Sequence, residues 1–101
     1  HKNVNIQDGS ILHTDFDIPL VIEEGVVAGH GVILHGFRVG AGTLVGIGAR
    51  LLGRSEIGAE SIIAAGSIVT ERTVIPPRSL VMGIPGKVVR QVTDQEVART
   101  R

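Results

Sequence analysis

An all-β chain wound as a parallel β-helix, with three six-residue units to each coil, is predicted by three observations. Reading every sixth residue from Val39 gives Val39, Val45, Leu51, Ile57, Ile63, Val69 and Ile75, all branched aliphatics. Four positions after each stands a small residue: Thr43, Ala49, Ser55, Ser61, Ser67, Thr73 and Ser79. Aromatic rings are confined to Phe16 and Phe37, whereas a sandwich or a helical bundle ordinarily anchors its core on several of them.

A six-residue repeat matches neither the helical nor the plain strand period. It matches a triangular coil in which each hexad supplies one short strand and one corner. The aliphatic residue points into the prism, and the small residue lets the neighbouring corner approach. Glycine often follows the aliphatic, as in Val39-Gly40, Val45-Gly46 and Ile57-Gly58, and is expected to serve tight corner conformations. Successive coils then stack at the strand spacing of ~4.8 Å.

Upstream the rhythm is interrupted. Ile22, Ala28 and Leu34 keep the spacing but Val39 comes one residue early, while Val21, Val27 and Ile33 preserve the downstream phase. The sequence leaves both registers open. Ile6 and Leu12 form a further inward pair, and Thr14 to Pro19 read as a loop bulging from a corner. Downstream the repeat is expected to end near Ile75-Pro76-Pro77, followed by extended chain punctuated by proline as far as Arg90. Thr93-Asp94-Gln95-Glu96 is a capping box opening a short C-terminal helix.

The 101 residues fit a single domain, with coils and closing segment over 1–92 and the start of a helix over 93–101. Ten basic and ten acidic side chains balance, so neither nucleic acid nor an anionic membrane is an expected partner. No apolar run approaches the ~18 residues of a membrane span, and no signal-peptide pattern appears. With no cysteine, disulfides and thiolate ligands are excluded, and the cytoplasm is the expected compartment.

Any metal therefore has to sit on histidine or carboxylate. His1 reads as a solvated terminus. Leu12 and Leu34 are equivalent inward residues twenty-two positions apart, the length of one coil plus the loop excess. His13 and His35, each following its leucine, are expected to stand one above the other on the outer wall. His30 lies around the previous corner, on a different face. A metal bound by all three needs His30 from a neighbouring chain, an arrangement that a homotrimer of parallel prisms provides. Three imidazoles and an open position form a catalytic zinc site.

The segments Asn5-Ile6-Gln7-Asp8-Gly9-Ser10-Ile11-Leu12-His13 and Gly29-His30-Gly31-Val32-Ile33-Leu34-His35-Gly36 resemble the metal-binding core of γ-class carbonic anhydrases. Val45 to Ala49 and Ile75 to Arg90 are similar to that family's closing coils. The resemblance implies a left-handed coil and zinc, iron or cobalt held by His13, His35 and the neighbour's His30. It implies that Gln7 orients the metal-bound water and that Asp8 enters the inter-subunit polar network. It further implies that zinc lowers the pKa of its water to ~7, so that hydroxide attacks carbon dioxide to give bicarbonate.

The same resemblance marks departures. The family's upstream coils with their Arg-x-Asp segment, and most of its C-terminal helix, have no counterpart here. Asp15 and Asp17 are the only acids where the family carries a longer glutamate-bearing loop that shuttles protons. Either a naturally reduced protein or a piece of a longer one is expected. A trimeric metal-binding or small-ligand scaffold with little hydratase activity is the main competing function. A hexapeptide-repeat acyltransferase using a histidine as general base is the other.

Overall fold

The computed structural model describes residues 4–6, 9, 11–12, 20–35 and 38–100. Twelve two-residue strands wind in order around a three-sided prism. The first coil holds β1 (Asn5–Ile6), β2 (Ile11–Leu12) and β3 (Val21–Ile22). The second holds β4 (Val27–Ala28), β5 (Ile33–Leu34) and β6 (Arg38–Val39). The third holds β7 (Leu44–Val45), β8 (Arg50–Leu51) and β9 (Glu56–Ile57), and the fourth β10 (Ile62–Ile63), β11 (Ile68–Val69) and β12 (Val74–Ile75). Every third strand pairs in parallel, so the three faces are β1-β4-β7-β10, β2-β5-β8-β11 and β3-β6-β9-β12.

From β4 to β12 each strand buries its second residue. Ala28, Leu34, Val39, Val45, Leu51, Ile57, Ile63, Val69, Ile75 and Val81 are all 3% exposed or less. This settles the upstream register in favour of Ile22, Ala28 and Leu34, since Ile22 pairs with Val39 and Leu34 with Leu51. The missing residue therefore falls between Leu34 and Val39. The small residues form a second buried row and are more than spacers. The hydroxyls of Ser55, Ser61 and Ser79 donate to the carbonyls of Leu52, Gly58 and Pro76, at 2.7, 2.9 and 2.7 Å. Among the described residues no buried side-chain polar atom lacks a partner, as a core of this width demands.

The glycine that follows the aliphatic has a different task from the one the sequence suggests. A Cβ at Gly58 would lie 2.3 Å from the Pro77 nitrogen, and one at Gly40 or Gly46 would lie 2.5 Å from the next coil's backbone. These glycines allow coils to touch. The left-handed corner position comes two residues later, at Gly42, Gly48 and Gly66, and is filled at equivalent corners by Arg54, Glu60, Arg72 and Arg78, with φ between 57° and 61°. Glu60 is thus a half-buried corner residue.

The repeat runs one strand beyond the expected end. In β13 (Ser79–Met82) Leu80 and Val81 pair with Ile62 and Ile63, and β14 (Lys87–Gln91) then folds back antiparallel. Pro76 and Pro77 do not break the coil, because β12 is the last strand of its face and no further ladder awaits their missing N–H. The helix α1 (Asp94–Thr100) starts at the expected box. The Thr93 N–H donates to Glu96 at 3.0 Å, and the Glu96 N–H to the Thr93 hydroxyl at 3.2 Å.

Two stability predictions arise here. Ile63→Ala should cost about 2–5 kcal/mol, through the lost transfer energy and the cavity left behind, while Glu71→Ala on an exposed corner should stay within about 0.5 kcal/mol. Chemical denaturation of the two variants measures the difference. At the C-terminus, the Arg90 guanidinium, helped by the Thr93 N–H, lowers the Glu96 carboxyl from 4.5 to about 2. A depressed carboxylate contributes stability that is full above its unfolded pKa and is lost as pH falls through the folded one. The helical signal of α1 should therefore fade between about pH 4.5 and 2 and shift little in Glu96→Gln, as amide exchange across that range would report.

Candidate metal site

The pairing of β2 with β5 matches Ile11 to Ile33 and Leu12 to Leu34, the twenty-two-residue offset read from the sequence. Both leucines immediately precede a histidine. His35 leaves β5 half-buried on the wall, its N–H donating to the Leu51 carbonyl at 2.8 Å. His30 occupies the corner between β4 and β5 and is exposed, its carbonyl accepting from the Gly48 N–H at 2.9 Å. His13, Gln7 and Asp8 lie outside the described residues, as does the loop Thr14 to Pro19. The backbone thus places two described histidines at opposite ends of one short strand. Among the described residues no three potential ligands gather within one chain. Imidazole nitrogens on an outer wall and an exposed corner are a donor set that fits zinc.

Sequence reasoning missed a second feature, on the third face. Arg38 donates to Glu23 at 2.6 Å, and the Ala41 N–H donates to the same carboxylate at 3.2 Å. The guanidinium, with that N–H in support, holds the Glu23 carboxyl below its ordinary value. Together with Glu56, Ala59, Val74 and Pro77 the pair lines a groove of ≈ 320 Å³. The only sequence signal was opposite charge on neighbouring strands, and it needed the upstream register before it could be read. Among the described residues no helix is long and apolar enough to cross a membrane.

No family model matches the chain. Over 96 residues it is 49% identical to a carbonic anhydrase of Geobacillus kaustophilus, covering 95% of this chain and 53% of that one. Over 93 residues it is 44% identical to the carnitine operon protein CaiE of Salmonella agona, covering 92% and 47%. A hexapeptide transferase family protein from Anaplasma phagocytophilum superposes with a TM-score of 0.90 at 32% identity, over 98% of this chain and 58% of that one. The chain is a left-handed parallel β-helix of the hexapeptide-repeat superfamily. Within that class it is a γ-class carbonic anhydrase-like protein. It spans about half the length of the curated relatives it matches.

Proposed function

We propose that the chain carries the zinc centre of a γ-class carbonic anhydrase-like enzyme that converts carbon dioxide to bicarbonate, completed between the chains of a homotrimer. The observation behind this reading is the β2–β5 register, which pairs Leu12 with Leu34, the residues that precede His13 and His35 in the sequence, while His30 stands on the corner. The 49% identity to a carbonic anhydrase supports it. His13 and His35 of one chain and His30 of the next hold the ion, for which iron or cobalt can substitute. Bound there, zinc supplies a Lewis acid that makes water nucleophilic near neutral pH. Gln7 orients that water through its side-chain amide, and Asp8 ties the adjoining chains through a polar contact.

Metal analysis of the purified oligomer, joined to a carbon dioxide hydration assay, tests this. The expected result is close to one zinc per chain, with hydration that falls at least ~100-fold in Gln7→Ala. A zinc-loaded oligomer without hydration would leave only the binding scaffold. The likeness to a hexapeptide transferase family protein favours a second reading, an acyltransferase with one histidine as general base. Its acyl donor would lie in the groove beside Arg38, and a zinc-free oligomer that binds coenzyme A would select it.

A further inference from the structure

We infer that Arg50 of each chain meets the other two on the threefold axis, where the three hold one small dianionic oxyanion, sulfate or hydrogen phosphate. This rests on the shared-site reading, in which every chain offers its neighbours the corner bearing His30 and the wall bearing His35. His30 precedes β5 and His35 follows it, so the two flank the second face. A ring closed by threefold rotation turns the same side of each chain inward. The side between the two joined edges is that face, β2-β5-β8-β11. A hexad spans at most ~20 Å, so three faces joined edge to edge leave their midlines roughly 6 Å from the axis. An arginine at the middle of a face reaches that far.

On this face Leu34, Leu51 and Val69 are buried, and the first residue of each strand points outward. Ile33 pairs with Arg50, and Arg50 with Ile68. Arg50 is exposed between the two half-buried isoleucines. The third face treats its arginine differently, giving Arg38 the Glu23 carboxylate at 2.6 Å. Arg50 has no such acid beside it, since the chain holds none from Gly40 to Ser55. Glu71 stands at a corner of the next coil, next to Arg72. In a single prism Arg50 is hydrated and needs no partner. In the ring three guanidinium groups converge between apolar levels, and like charges drawn out of water require a counter-charge. The planar fork of arginine matches an oxyanion. Ile33 and Ile68 close the axis on either side, which suits a small free ion and not the phosphoryl end of a larger molecule.

Isothermal titration of sulfate into the zinc-loaded trimer, in sulfate-free buffer, is expected to give one sulfate per three chains. Hydrogen phosphate should compete for it. Added sulfate should also raise the melting temperature in proportion to its occupancy. Arg50→Ile, which repeats the residue above and below, should abolish this binding while keeping the trimer and its zinc. That variant should melt higher than the wild type without sulfate and gain nothing when sulfate is added. One sulfate per chain, retained in Arg50→Ile, would place the anion at the metal and overturn the axial site. A zinc-loaded trimer that binds no sulfate would overturn it too, leaving the shared zinc in place. A monomer without zinc would refute the shared-site reading and the axial site together.

Discussion

Gly58→Ala should be among the most damaging single substitutions in this chain, costing about 3 kcal/mol or more. The added Cβ would lie 2.3 Å from the Pro77 nitrogen, 2.6 Å from its Cα and 2.7 Å from the Pro76 carbonyl carbon. All three are backbone atoms, and none can rotate away as a side chain would. Relief requires the coils to separate, which strains the Gly58 N–H bond to the Ile75 carbonyl at 2.8 Å and the pairing of Ile57 with Ile75. A useful contrast is Gly48→Ala, where the added Cβ meets nothing within 4 Å and only the positive φ of 72° opposes it. That change should cost about 1–2 kcal/mol. Urea denaturation of the two alanine variants compares them directly; equal midpoints would show that coil contact is not what keeps Gly58 a glycine.

That contrast also shows where the sequence could be read and where it could not. The inward row was legible because Val45, Leu51, Ile57 and Ile63 occupy places closed to solvent, and only aliphatic side chains fill them. The upstream phase was not, because Val27 and Ile33 on the outer wall are as aliphatic as the inward Ala28 and Leu34 beside them. Binary pattern cannot separate two adjacent apolar residues. Glycine was visible, but its reason was hidden. Gly40, Gly46 and Gly58 answer to atoms eighteen or nineteen residues away, whereas the strained corners carry Arg54, Glu60 and Arg72 and so give no compositional sign. Pro76 and Pro77 read as a stop because the sequence does not say which face runs out of strands first.

Near the candidate site, counting residues was enough to pair Leu12 with Leu34. The loop excess between Leu12 and Ile22 gives the same twenty-two-residue offset as the β2–β5 pairing. The sequence reading set His30 around the previous corner, on a different face, and the structure has it on the turn between β4 and β5. Side-chain geometry is another matter. In the proposed site, whether imidazoles converge depends on the approach of a second prism, which no intrachain periodicity encodes.

Loss of metal in histidine variants is the largest effect expected, and its rescue is the sharper test. His13→Ala, His30→Ala and His35→Ala should each strip most of the bound zinc, because two imidazoles leave the site incomplete. In the threefold ring proposed above, each site would take His13 and His35 from one chain and His30 from the next. A His30→Ala chain followed by a His35→Ala chain therefore rebuilds one complete site. Every mixed ring contains that order once, whichever variant is in the majority. Co-refolding the two variants in equal amounts should thus restore about a quarter of the wild-type zinc, from about three-quarters mixed rings with one site in three intact. A site formed wholly within one chain gains nothing from mixing, since neither variant ever holds all three ligands. Native mass spectrometry counts the mixed rings, and metal analysis of the same sample counts the sites. Mixed rings holding no more zinc than either parent would place His30 outside the shared site.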